Sequence, residues 1–252
     1  MYSLDQVTLP ESNDDTLLNK PAAQKTIWHV REKWTDDQLK DYIRRYWGFC
    51  SYIDKQVGKV FDTLKQTGQW DNTIIIFTSD HGDMLASHGF IYKMSNNGYD
   101  ELFRVPTLIR IPKTTTAGSS ADSFVTHVDI LPTLLEAADI PKPDKIDGKS
   151  FVPLLKNTKA KHRDFIFSDC GNTSIVYCDD SYKFVLNWQS PDNDDELYNL
   201  KNDPAEMTNL ALKPENSKII DTIKEKIFNW LKQTNHKYVD LIAEKAAFKQ
   251  RT

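Results

Sequence analysis

Apolar side chains at Leu39, Tyr42, Ile43, Tyr46, Cys50, Ile53, Val57, Val60, Phe61 and Leu64 follow one another mostly at steps of three and four, the repeat of one helix face. Thr35 precedes the run with Gln38 three residues on, a capping box, and Asp36 and Asp37 suit the positive end of the helix dipole. Gly68 closes the helix. Asp71 and Asn72 then make a turn, and residues 73–78 form a β-branched run, apolar on both faces, as a buried parallel strand would be. Helix, short loop and buried strand predict a layered α/β domain.

Residues 105–111 read as a second apolar strand, and 128–138 as a short helix with Pro132 near its start. From about Pro141 the pattern changes to short strand-like runs at 165–167, 174–178 and 182–188, with Asp179, Asp180 and Ser181 as a hairpin connection. Apolar positions 219, 220, 223, 227, 230 and 231 mark a second amphipathic helix. The expected division is a larger α/β part over 1–155 and a small α+β part over 156–252, an antiparallel sheet with a covering helix.

Composition narrows the function classes. The chain has 252 residues, a formal net charge of −4 and a hydrophobic fraction of 39%, which suits a packed core rather than a disordered chain. Charges of both signs are interspersed over residues 201–252, so no nucleic-acid partner is expected. No apolar run is long enough to span a membrane, and residues 1–20 carry Asp5, Glu11, Asp14 and Asp15 where a leader would be apolar. The true N-terminus is expected to lie upstream, which leaves localisation unread; the glycosylation sequon at Asn172 does not establish secretion. Cys50, Cys170 and Cys178 lack metal-type spacing and have no histidine or basic cluster beside them, so neither a disulfide framework nor a thiol nucleophile is expected.

The sharpest local chemistry is Asp80-His81-Gly82-Asp83, directly at the C-terminal end of the first strand, where α/β sheets bind ligands. A carboxylate and an imidazole there can share one cation, and oxygen plus nitrogen donors tolerate Ca²⁺, Mg²⁺, Mn²⁺ or Zn²⁺. Lys93 follows in a polar loop with Tyr92, Asn96 and Asn97, and its ammonium can meet a tetrahedral oxyanion as a point charge. His88 and His162 read as hydrogen-bonded structural groups; His127, at a helix start, reads the same way or as a substrate-side group. Glu101 and Arg104 are spaced to pair across a helical turn and hold the loop before the second strand.

Several segments together resemble the sulfatase family of the alkaline-phosphatase-like superfamily. They are Thr78-Ser-Asp-His-Gly-Asp-Met-Leu85, Ser87-His-Gly89, Lys93, Tyr99-Asp-Glu-Leu-Phe-Arg-Val-Pro106, Val128-Asp-Ile-Leu-Pro-Thr-Leu-Leu135, Ile146-Asp-Gly-Lys-Ser150 and Glu196-Leu-Tyr-Asn-Leu-Lys-Asn-Asp-Pro204 with Asn209-Leu210, in family order. The resemblance implies part of an α/β/α sandwich followed by the small C-terminal subdomain. It implies that Asp80 and His81 are ligands of a catalytic divalent cation, Ca²⁺ first with Mg²⁺ or Mn²⁺ as alternatives, and that Lys93 contacts the sulfate group. His127 is expected on the substrate side. The implied substrate is a sugar or aryl sulfate ester, with phosphonate or phosphodiester hydrolysis as the same-superfamily alternative.

In the family a cysteine or serine oxidised to formylglycine is the nucleophile, in a motif of Cys or Ser, any residue, Pro, Ser or Ala, then Arg. Cys50, Cys170 and Cys178 lead into Ser-Tyr-Ile, Gly-Asn-Thr and Asp-Asp-Ser, and no serine fits. The resemblance therefore implies the C-terminal portion of a sulfatase, its formylglycine-bearing N-terminal half elsewhere. The chain alone is expected to be inactive, a folded or interaction module, partnered by that half or by self-association.

Overall fold

The computed structural model describes residues 1–26, 28–93, 97–170, 173–190 and 194–249. Asn172 lies outside them. The chain forms two compact units: Met1–Thr16 with Thr26–Lys93 and Asp100–Gly118, and Leu17–Lys25 with Met94–Tyr99 and Ser119–Thr252.

In the first unit α1 (Asp36–Gln66) is 31 residues long, about 46 Å at 1.5 Å per residue. Its start follows the capping box: the Gln38 amide donates to Thr35 Oγ1 at 3.3 Å, and the Thr35 amide to Gln38 Oε1 at 2.8 Å. Only Leu39 and Ile43 of this helix are fully buried, in a core with Val7, Val30, Ala86 and Ile91. Further along, Phe49, Tyr52 and Val60 are exposed.

The apolar run at 73–78 gives β1 (Ile75–Thr78), but it is neither parallel nor buried. After the short α2 (Asp100–Phe103) the chain returns as β2 (Thr107–Arg110), antiparallel to β1, with Phe77 opposite Leu108 and both exposed. β-branched residues favour extended backbone whichever way the neighbour runs, so the run fixed the strand and left its pairing open. The expected Glu101–Arg104 pair is also replaced: Arg104 approaches Asp100 instead, at 4.0 Å, because the α-helical turn offers the residue four back.

The second unit contains α3 (Ile130–Ala137), α4 (Val152–Lys156) and a four-stranded antiparallel sheet in sequential order. Its strands are β3 (Phe165–Cys170), β4 (Ser174–Asp179), β5 (Tyr182–Leu186) and β6 (Glu196–Asn199). The hairpin expected at 179–181 is closed by Asp179 Oδ1, which accepts the amides of Ser181 and Tyr182, each at 2.8 Å. α5 (Ser217–Gln233) and α6 (Val239–Lys249) complete the unit.

Side chains alternate between the sheet's two faces. Ile175, Tyr177, Phe184, Leu186 and Leu197 pack with Ile223, Ile227 and Leu231 of α5. The other face buries Lys183, Glu196 and Tyr198. Such groups are buried only when satisfied. Glu196 accepts from Gln24 Nε2 at 3.0 Å, Asn187 Nδ2 at 3.2 Å and Tyr198 Oη, and Lys20 Nζ donates to Tyr198 Oη at 2.9 Å. Lys183 meets Glu206 at 2.8 Å.

Candidate active site

β1 ends at Thr78, and the next residues turn sharply. Ser79 Oγ donates to the His81 carbonyl at 2.7 Å, and the His81 amide donates to Asp80 Oδ1 at 3.0 Å. Gly82 is needed for this turn: a β-carbon there would lie 1.8 Å from the Glu101 carbonyl oxygen. The motif's glycine is thus a matter of backbone approach.

His81 Nδ1 lies 2.8 Å from the Gly82 carbonyl. A carbonyl only accepts, so Nδ1 carries the proton. Nε2 then faces Asp80 Oδ2 across 3.6 Å, with the Asp80 side chain 85% and the His81 side chain 39% exposed. That nitrogen can meet the carboxylate in either of two ways, protonated as an ion pair or, through its lone pair, by sharing a metal ion. The His81 amide first, and the charges of His81 and Lys93 after it, hold the Asp80 carboxyl below the usual carboxylate range. The carboxylate is ionised and open at neutral pH.

The pair fits a divalent cation as two donors. Among the described residues no group of three or more His, Cys, Asp or Glu side chains converges on a metal position. A cation held there would need its other donors from water, a bound oxyanion or further protein groups.

Lys93 is brought to the same region by a loop that folds back on itself. Met84 N donates to the Tyr92 carbonyl at 3.2 Å and Ala86 N to the Phe90 carbonyl at 2.8 Å. Leu85, Ala86, His88, Gly89 and Tyr92 all have positive φ, between 44° and 74°. Non-glycine residues hold that conformation only when their surroundings impose it, and such strain clusters at functional sites. Here the buried Asp15 does part of the holding, its Oδ2 lying 2.8 Å from His88 Nδ1, and Ser12 Oγ accepts the His88 amide at 3.2 Å. His88 is a structural group, as expected. The exposed Lys93 ammonium lies 6.0 Å from the Tyr92 ring.

His127 belongs to the second unit, exposed at the start of the turn His127–Asp129. That turn is anchored by Asp129, most of whose partners lie too far along the chain to be legible from its neighbours. Its carboxylate accepts from Arg163 Nε at 2.9 Å and also from Arg163 Nη2, from the Lys149 amide at 2.8 Å, the Thr126 amide at 3.1 Å and His162 Nε2 at 3.1 Å. Burial alone would raise this carboxyl, but Arg163 and the other donors overcome it and bring it down to about 2. Burial raises the Cys50 thiol and carries that of Cys170 to about 11, away from the thiolate a nucleophile needs.

Two family models match the chain: Sulfatase over residues 10–140, and the C-terminal region of N-sulphoglucosamine sulphohydrolase over 87–233. An arylsulfatase of Clostridium perfringens is 32% identical over 210 residues, which are 80% of this chain and 42% of that protein. The solved structure of a 2-O GAG sulfatase superposes with a TM-score of 0.81 at 27% identity, covering 94% of this chain and 54% of the other. A phosphonate monoester hydrolase of Agrobacterium radiobacter superposes with a TM-score of 0.71 at 29% identity, covering 80% and 43%. The chain spans about half the length of the curated relatives it matches. The α/β class with a small antiparallel C-terminal part agrees with these structures.

Proposed function

The chain belongs to the sulfatase family, and we propose that it forms the cation-holding and sulfate-contacting portion of a sulfuric-ester hydrolase. The observation that carries this reading is the approach of Asp80 Oδ2 and His81 Nε2 to 3.6 Å at a strand end, with Lys93 close enough for its charge to act on Asp80. Asp80 and His81 would hold a divalent cation, Ca²⁺ first, with Mg²⁺ or Mn²⁺ as alternatives. When bound, that ion supplies Lewis-acid stabilisation of charge on the transferring group. Lys93 would bind the tetrahedral oxyanion through its ammonium and orient it. His127 would stand on the substrate side.

No cysteine or serine of the chain begins the formylglycine motif, so the nucleophile would come from protein outside these residues and the chain alone would be inactive. The likeness to a 2-O GAG sulfatase supports a sugar sulfate as substrate, and the arylsulfatase relative keeps aryl sulfates in view. The likeness to a phosphonate monoester hydrolase supports a second reading, hydrolysis of phosphonate or phosphate diesters by the same cation and lysine.

The test is turnover of para-nitrophenyl sulfate and of a matched phosphonate ester by a protein that joins this chain to a formylglycine-bearing half. Asp80→Ala or Lys93→Ala should each lower kcat by about 100-fold or more. Unchanged turnover in either variant would sink the assignment, and faster cleavage of the phosphonate ester would favour the second reading.

A further inference from the structure

Tyr42 lies on the buried side of α1, between Leu39 and Ile43 of the core, and its hydroxyl reaches away from that core to two partners. Tyr42 Oη is 3.2 Å from each carboxylate oxygen of Asp83 and 3.2 Å from the backbone nitrogen of Tyr92. One hydroxyl thus plays both roles: it donates its proton to Asp83 and accepts the amide hydrogen of Tyr92.

These partners sit at the two ends of the strained loop. Asp83 follows His81 by two residues, and Tyr92 immediately precedes Lys93. Asp83 Oδ1 also takes the Leu85 amide at 3.0 Å, and the Tyr92 carbonyl takes the Met84 amide at 3.2 Å. Tyr92 is therefore held at both its N–H and its C=O, although its φ of 68° is one that a tyrosine rarely adopts. Its ring stacks on Trp28 at 5.6 Å, and the Lys93 ammonium lies over the same ring. A phenylalanine at 42 would fill the same volume and lose both hydrogen bonds. Burial, with the Asp83 charge adding to it, pushes the Tyr42 phenol up to about 12, so the hydroxyl keeps its proton across the working range.

We propose that Tyr42 is a positioning residue, whose hydroxyl ties the segment after His81 to the residue before Lys93 and so fixes where the lysine stands relative to the Asp80–His81 pair. The proposal deepens the hydrolase reading and rests on it for the role of Lys93, but the tie itself belongs to this chain and is measurable in it.

The experiment uses the full 252-residue chain and compares it with Tyr42→Phe by amide hydrogen exchange and backbone relaxation. Tyr42→Phe should speed exchange of the Tyr92 amide by about tenfold, the worth of one hydrogen bond, and lower the order of the Lys93 amide. The amides of Leu39 and Ile43, which report helix and core, should not change. Asp83→Ala should loosen Lys93 as Tyr42→Phe does, while Asp83→Asn, which keeps an acceptor for the phenol, should restore most of the order. Tyr92 exchange and Lys93 order both unchanged in Tyr42→Phe would overturn the proposal, as would a uniform loss of protection reaching Leu39 and Ile43. Failure of the hydrolase reading shows separately, as full turnover by the Asp80→Ala or Lys93→Ala enzyme.

Discussion

Gly82 is pressed against the backbone of Glu101: its amide donates to the next carbonyl, that of Leu102, at 3.0 Å, and a β-carbon on it would lie 1.8 Å from the Glu101 oxygen. The segment that carries Asp80 and His81 is joined there to α2 with no side chain between them. Gly82→Ala must push the backbones apart, at a cost of about 3 kcal/mol or more. Urea unfolding at constant m-value should show a correspondingly lower midpoint; an unshifted midpoint would mean the contact yields freely.

Asp129 should dominate the acid sensitivity of the second unit. Its folded carboxyl sits at about 2 against an ordinary 3.8, so the folded form binds the proton less tightly. The resulting stabilisation, about 2 kcal/mol, is present above about pH 4 and is lost as pH falls toward 2. Asp129→Asn should remove that slope and, by stranding Arg163, cost about 3–5 kcal/mol at neutral pH. Unfolding curves measured between neutral pH and pH 2 test both expectations, and an unchanged acid slope in the variant would refute the first.

The buried pair of Lys183 and Glu206, each side chain 1% exposed, invites a double-mutant cycle. Lys183→Met leaves a buried carboxylate without its partner and should cost about 3–5 kcal/mol. Adding Glu206→Gln should recover part of that loss, because the uncompensated charge is gone. Additive single costs would show that the two do not act as a pair.

Thiol labelling gives a quick check on packing. Cys50 is exposed, whereas Cys170 and Cys178 are buried. The native chain should consume one equivalent of an aromatic disulfide reagent, slowly because the Cys50 thiol is raised by partial burial. Unfolding in urea should release all three. Rapid reaction of Cys170 in the native chain would contradict the placement of β3.

The sequence by itself determined whatever depends on neighbours a few residues away. The Thr35–Gln38 box, the period of α1, the Asp179 hairpin and the amphipathic α5 were all legible, because capping, helical repeat and turn chemistry act within a few residues. The ordered motifs around Asp80, His81 and Lys93 were legible for the same reason, as short strings. Tertiary structure alone decided the pairing of β1 and how those residues are held. Tyr42 meets Asp83 across 41 residues and Tyr92 across 50, His88 meets Asp15 across 73, and Arg163 meets Asp129 across 34. In the sequence Tyr42 reads as one more apolar position on a helix face. Nothing within a helical turn of it shows that its hydroxyl has two partners, since a hydrogen bond is decided by which groups the folded backbone brings within about 3 Å.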